Sequence, residues 1–167
     1  MTRITTTTEC LDLLEQSNIK FGLYEHPPTH HFDDHRDIRD KIAGMHCKSL
    51  FLTDKKEFYM VLMRGELRLN LKALKEGLKT KRLSFAKGED MEDILAVSPG
   101  SCTPYALVND KEYRISKVIL DEAFKGADFI NFHPIENTAT IQVSHDDFIK
   151  WLKLTGHNYE YMPLEKG

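Results

Sequence analysis

The pattern of apolar and polar residues predicts a chain in which strands and helices alternate. Two apolar runs of strand length, KSLFLT and EFYMVLM, are separated by three polar residues and predict a hairpin. The second run is apolar without a break from Phe58 to Met63, which is typical of a strand buried on both faces. Further strands are predicted in FGLYEH, VIL, DFINF and TATIQV, and an edge strand in YEYMPL.

Capping residues indicate where the predicted helices begin. Thr6 precedes Glu9 by three residues, and Ser144 precedes Asp147 by the same spacing, as in a capping box. Asn70 can cap a helix in LKALKEGL. Helices are also predicted in GEDMEDILAV and, as a short polar helix, at residues 33–41. The predicted fold is a mixed α/β (α+β) domain spanning residues 1–167, with helices packed on a mixed sheet.

Composition narrows the class of protein. The 167 residues suffice for one domain with a core, and 41% hydrophobic and 29% charged residues are ordinary for a soluble protein. The sequence contains neither a membrane-length apolar run nor the apolar region of a signal peptide. Cys10, Cys47 and Cys102 are widely spaced and form no C-x-x-C pair. We therefore expect a cytoplasmic protein without a disulfide framework and without a membrane partner.

Charge is spread unevenly along the chain. The net charge is −3, but residues 64–87 contain eight Lys or Arg and two Glu, a net charge of +6. A solvated helix face explains such a segment, and a binding surface for phosphates is the alternative. We call residues 64–87 the basic segment.

A histidine-rich stretch, HPPTHHFDDH, contains residue types that bind zinc: His26, His30, His31, His35, Asp33 and Asp34. His31 and His35 would share a face if the stretch were helical. It has no H-E-x-x-H pattern, however, and its adjacent prolines disturb the geometry. A solvated loop is therefore favoured over a metal site, and no metal is expected.

Two further candidates are a lysine and a glycine loop. Lys48 begins a very apolar strand, where it either extends to water or binds an anion at the mouth of a pocket. Gly100 and Pro104 flank three residues whose N–H groups can line up on a ligand oxygen, or form a plain turn. Cys102 is a nucleophile or, more commonly, an inert buried thiol. Beyond the loop, Tyr105 to Val108 is predicted as a strand.

The last candidate lies in NFHPIENTATIQVS, where polar residues separate two strand-like runs. His133 and Asn137 are four residues apart across a proline. They either satisfy the backbone of their own loop or line a small pocket.

Together, CKSLFLTDKK, LSFA, GSCTPYALVND and NFHPIENTATIQVSHDDFIKWL resemble the YbaK/ProRS-associated editing-domain family. The likeness runs from about Ile19 to Thr155 and is greatest to the free-standing prolyl-tRNA editing branch called PrdX or ProX. It implies a deacylase that hydrolyses the ester of mischarged Ala-tRNA(Pro), on a domain with a curved, partly barrel-like sheet. It also implies tRNA(Pro) as partner, with prolyl-tRNA synthetase or an elongation factor as further partners, and no cofactor.

The resemblance also assigns roles to residues. It implies that Lys48 holds the 3′-terminal adenosine end, that the loop from Gly100 lines the aminoacyl pocket, and that His133 confines that pocket. The predicted catalytic residues are Lys48, Gly100 and His133, and the predicted substrate-binding residues are Ser49, Ser101, Cys102, Thr103, Pro104 and Asn137.

Two positions depart from the family pattern. Ser49 stands where the family usually has asparagine, and Cys102 stands where a small apolar residue is usual. The first departure leaves open a catalytically inactive module that binds tRNA or a synthetase. The second weakens the nucleophile hypothesis.

Overall fold

A computed structural model describes residues 3–166, so Met1, Thr2 and Gly167 of the predicted domain lie outside the described residues. The α-helices in this range are α1 (Thr7–Gln16), α2 (Arg36–Arg39), α3 (Leu71–Leu78), α4 (Gly88–Leu95) and α5 (His145–Thr155). The strands are β1 (Phe21–Glu25), β2 (Met45–Thr53), β3 (Phe58–Arg64), β4 (Ser84–Phe85), β5 (Ile115–Asp121), β6 (Phe129–Phe132), β7 (Ala139–Ser144) and β8 (Tyr159–Met162). Two 3₁₀ helices, Pro104–Asn109 and Glu122–Gly126, complete the described elements.

The strands form one curved mixed sheet in the order β1-β7-β6-β2-β3-β5-β8, with β4 added to β2. Strands β2 and β3 form the predicted antiparallel hairpin. The pairs β2–β6, β3–β5 and β5–β8 are parallel, because helices or long connections intervene. Strand β8 lies at one edge, as predicted for YEYMPL. The predicted mixed α/β fold is confirmed.

The predicted helix caps are confirmed by hydrogen bonds. The Thr6 hydroxyl accepts from the Glu9 N–H at 3.1 Å, and the Asn70 side chain accepts from the Ala73 N–H at 3.0 Å. The Ser144 hydroxyl likewise accepts from the backbone N–H of Asp147. Side-chain oxygens thus satisfy N–H groups that a helix start leaves without partners.

The sheet separates two hydrophobic cores. The larger core contains Met60 and Leu62 of β3, while Val61 and Met63 of the same strand belong to the smaller core under α3. Strand β3 is therefore buried on both faces, as its unbroken apolar run predicts. Helix α5 covers the larger core with Phe148 and Trp151, and both side chains are fully buried.

Two predictions of local structure need correction. The strand predicted at Tyr105 to Val108 is wrong, because these residues lie in the 3₁₀ helix Pro104–Asn109. Pro104 begins that helix and Thr103 caps it, and these start signals outweigh the strand propensity of Tyr and Val. The polar helix predicted at residues 33–41 is shorter than expected, because His35 adopts a left-handed conformation (φ 55°) just before Arg36.

Candidate functional site

A small cavity lies where β2 and β6 meet the histidine-rich loop, and we call it the histidine cavity. Its volume is roughly 90 Å³. It is lined by His26, Thr29, Phe32, Asp34, His35, Ile38, Arg39, His46, Cys47, Asn131, Phe132, His133 and Thr140. The parallel pairing of β2 with β6 sets His46 opposite Asn131, so two strands far apart in sequence contribute side chains to one wall.

His133 lines this cavity and also contacts the glycine loop. Burial lowers the pKa of His133, outweighing opposing hydrogen bonds to the backbones of Pro134 and Cys102, and nearby His26 lowers it further. The ring is therefore a neutral imidazole at neutral pH. A neutral ring can align a water molecule or bound alanyl group without adding a positive charge to the cavity.

The loop from Gly100 to Pro104 packs against the backbone of His133. Gly100 has a φ of +90°, which glycine adopts readily, and the Thr103 hydroxyl donates to the His133 carbonyl at 2.7 Å. The Ser101 N–H donates to the Ser98 carbonyl and is thus used within the turn. Cys102 and Thr103 are both buried, and within residues 3–166 their N–H groups donate to no protein acceptor.

Two neighbouring buried N–H groups without partners are unusual, because nearly all buried backbone donors are paired. In chemical terms they can hold a developing negative charge on a carbonyl oxygen. Of the three N–H groups that the sequence proposes for this purpose, the structure leaves those of Cys102 and Thr103 available.

Asn137 ties the histidine-rich loop to the β6–β7 connection. Its side-chain amide donates to the Thr29 carbonyl at 2.8 Å, and the Thr29 N–H donates back to the Asn137 carbonyl at 3.1 Å. Thr29 lines the histidine cavity. Asn137 therefore fixes one wall of the cavity and does not itself line it.

Lys48 lies on the other face of β2. Side chains alternate along a strand, so Cys47 faces the histidine cavity while Lys48, Leu50 and Leu52 face a separate groove. The lysine ammonium donates to the Leu67 carbonyl at 2.7 Å. Burial lowers the pKa of Lys48, and Glu66 partly opposes this effect.

This groove is larger, with a volume of roughly 390 Å³. We call it the basic groove, and it is lined by Lys48, Leu50, Leu52, Arg68, Leu69, Leu71, Leu83, Ser84, Phe85 and Lys166. Six of these residues, at positions 68–85, belong to the basic segment. The hydroxyl oxygen of Ser49 is buried on the opposite face of β2 and has no hydrogen-bond partner among the described residues.

The two cavities approach each other at the end of the β2–β3 hairpin. Phe32 lines the histidine cavity, and its ring packs so closely on Gly65 that no Cβ would fit there. Two residues later, Leu67 accepts the hydrogen bond from Lys48. A short turn therefore separates the His133 side from the Lys48 side.

The structure also places the remaining candidates. His26 and His35 line the cavity with ring centroids 6.3 Å apart, whereas His30 and His31 are exposed. No group of three His, Cys, Asp or Glu side chains in residues 3–166 is placed to hold a metal ion. Burial raises the pKa of the Cys102 thiol to about 12, so this thiol is a poor nucleophile.

Sequence reasoning missed His46 and Asn131 as residues of the cavity. Asn131 is 1% exposed between apolar neighbours in β6, and its side-chain oxygen has no partner in the described part of the chain. A polar residue inside a short apolar strand is a signal that could have identified it. His46 gives no comparable signal, because its position depends on a parallel pairing with a distant strand.

Comparison with known proteins identifies the class. The profile of the aminoacyl-tRNA editing domain matches residues 26–151, which is most of the chain. The chain therefore belongs to the aminoacyl-tRNA editing domain family.

The relatives are more specific. The chain is 27% identical to the prolyl-tRNA editing protein ProX of Acetoanaerobium sticklandii, over 90% of this chain and 93% of that protein. It is 34% identical to the prolyl-tRNA synthetase associated domain-containing protein 1 of Bos taurus, over 89% of this chain and 90% of that protein. A solved structure described as a candidate trans-editing enzyme for prolyl tRNA synthetase shares the fold, with a TM-score of 0.73 at 18% identity, and covers 98% of this chain and 99% of its own.

Proposed function

We propose that the chain is a trans-editing deacylase that hydrolyses the ester of mischarged Ala-tRNA(Pro). Family membership and the names of the relatives support tRNA editing linked to prolyl-tRNA synthetase. The observation that carries the chemistry is the pair of buried N–H groups, at Cys102 and Thr103, next to His133. These groups can stabilise the oxyanion that forms when water attacks an ester carbonyl.

The reaction needs little beyond positioning. An aminoacyl ester is already activated by its α-ammonium group and the neighbouring ribose hydroxyl. The protein therefore has to orient the ester, exclude bulk water and stabilise the oxyanion. In this proposal water attacks the ester carbonyl, aided by the vicinal hydroxyl, and the alkoxide of the ribose leaves with a proton. His133 aligns the alanyl group or the water, and Lys48 holds the nucleotide end as a fixed cation.

The size of the histidine cavity supports alanine as the acyl group. An apolar cavity of about 150 Å³ accommodates a benzene molecule. The histidine cavity is smaller, at roughly 90 Å³, so it suits a methyl group better than a ring. Rejection of the prolyl ester then follows from steric exclusion.

The basic segment supplies a surface for the RNA. Arg64 is engaged by Asp121 at 2.9 Å and by Glu165 at 3.5 Å, so it belongs to the fold. Arg68, Lys72, Lys79 and Arg82 are exposed and form no ion pair within residues 3–166. We propose tRNA(Pro) as the partner in the cytoplasm, delivered by prolyl-tRNA synthetase or an elongation factor. No helix in the described part of the chain is long and apolar enough to cross a membrane.

The test is hydrolysis of three esters by the purified protein: Ala-tRNA(Pro), Pro-tRNA(Pro) and Cys-tRNA(Pro). We expect release of alanine well above the spontaneous rate, with the prolyl and cysteinyl esters left intact. Hydrolysis of the cysteinyl ester in preference to the alanyl ester would contradict the proposed substrate.

The buried hydroxyl of Ser49 favours a second candidate, an inactive module that binds tRNA or a synthetase. Serine replaces the family's usual asparagine here and supplies no amide for acceptor-end contacts. The same assay separates the two, because an inactive module retains tRNA binding and hydrolyses none of the esters.

A further inference from the structure

The basic groove combines three cations with an apolar floor. Lys48, Arg68 and Lys166 line it together with Leu50 and Leu52. Its cations attract anionic groups, and its leucines offer area for an apolar or aromatic part of the same ligand. A nucleotide has both features, because it joins a phosphate to a base with two π faces.

Phe85 is the most exposed of the large hydrophobic side chains that the structure describes. It is 69% exposed, although it pairs with Leu52 through the short strand β4. Because Leu52 and Lys48 are on the same face of β2, Phe85 stands at the far end of the groove from the lysine. Four residues of strand separate Lys48 from Leu52, a distance of roughly 13 Å.

We propose that the basic groove binds the single-stranded 3′ end of an RNA, with one unpaired base stacked on Phe85 and phosphates held by Arg68 and Lys166. An exposed aromatic ring beside cations is the arrangement that binds single-stranded nucleic acid without reading its sequence. Phe85 is thus a positioning residue for the RNA end. This inference rests on the proposed function, because it assigns the path of the tRNA acceptor end.

The location of the groove supports this path. Lys48 and the histidine cavity lie on opposite faces of β2, and the turn at Gly65 and Leu67 is all that separates them. An RNA end lying along Leu50 and Leu52 would pass Lys48 before its esterified terminus reached His133. The basic segment, which contributes Arg68 and Phe85, would then contact the nucleotides immediately before that terminus.

The experiment measures binding of uncharged tRNA(Pro), so it does not depend on hydrolysis. Stacking of one base on an aromatic side chain accounts for roughly a 5- to 150-fold change in affinity, and Phe85→Ala should weaken binding within this range. Phe85→Trp should keep the affinity, because it keeps a stacking face. The matched control is Phe129→Ala, which removes an exposed ring on β6 outside the groove and should leave affinity unchanged.

A second RNA locates the contact. With tRNA(Pro) lacking its single-stranded 3′ end, wild type and Phe85→Ala should bind equally. The inference is overturned if Phe85→Ala binds intact tRNA(Pro) as tightly as wild type does, or if the loss persists with the truncated RNA. Thermal unfolding of each variant shows whether it is folded, and Phe85→Leu, which keeps apolar area without a π face, should weaken binding as Phe85→Ala does.

The phosphate contacts have their own readout. Removing Arg68 or Lys166 by substitution with alanine should make the slope of log affinity against log salt concentration shallower by about 0.7 per lost contact with a single strand. An unchanged slope in both variants would overturn the assignment of the phosphates. If wild type binds as expected but hydrolyses no alanyl ester, the proposed function fails while the groove is retained.

Discussion

The two faces of β2 carry cavities of opposite character. The histidine cavity holds roughly 90 Å³ and contains a neutral imidazole at His133, beside backbone N–H groups without partners. The basic groove holds roughly 390 Å³ and presents three cations above leucines. One strand serves both, because Cys47 and Lys48 point to opposite sides of it.

This difference indicates a division of labour. A small neutral cavity can select by size and stabilise an oxyanion, whereas a large cationic groove can hold a polyanion without selecting the acyl group. Substitutions in the groove should therefore affect all esters alike, and substitutions in the cavity should change which ester is hydrolysed.

The largest expected effect is at Lys48. Lys48→Ala should lower kcat/KM for the alanyl ester roughly 100-fold, because a misplaced ester loses its alignment with the oxyanion donors. Single-turnover hydrolysis of Ala-tRNA(Pro) measures this effect, with Lys111→Ala, at an exposed lysine remote from both cavities, as the control. Wild-type rates in Lys48→Ala would remove the lysine from the mechanism.

The next effect concerns selectivity at His133. His133→Ala enlarges the cavity, so the preference for the alanyl over the prolyl ester should fall, by about 10- to 200-fold if one small group decides the fit. The ratio of kcat/KM values for the two esters checks this, and His145→Ala, on helix α5 outside the cavity, is the control. A ratio that stays constant while alanyl hydrolysis continues would contradict the size-exclusion account.

The smallest effect is the dependence of stability on pH. Burial lowers the pKa values of both His133 and His46, so the folded protein binds fewer protons than the unfolded chain just below pH 6.5. The free energy of unfolding should therefore rise with pH through that window and be lost as pH falls and both rings become protonated. Urea unfolding between about pH 5 and pH 7.5 measures it.

A substitution shows whether this dependence comes from the cavity. His133→Gln removes one of the titrating rings, so the rise in unfolding free energy across the window should flatten relative to wild type. The same slope in wild type and variant would show that His133 is not a source of the pH dependence.

The sequence predicts most of the elements, because their signals are local. The caps at Thr6, Asn70 and Ser144 and the apolar run of β3 depend on residues within one turn or strand. The prediction fails at Tyr105 to Val108, where the start signal of Thr103 and Pro104 outweighs a strand-like composition. Local propensity is a weak guide where capping and packing favour another conformation.

The candidate site is predicted only in part. Motif spacing identified His133 and the glycine loop, and the structure brings these together. The separation of Lys48 from that pair follows from the direction of one side chain on β2, and the place of His46 follows from a pairing between distant strands. Neither is written in local sequence, since both depend on the register of the assembled sheet.

The most direct test of the proposed function is hydrolysis of Ala-tRNA(Pro) in large excess over the protein. The account predicts that each chain releases many equivalents of alanine while Pro-tRNA(Pro) remains charged under the same conditions. Release at the spontaneous rate would contradict it, and would assign the fold and its basic groove to tRNA binding alone.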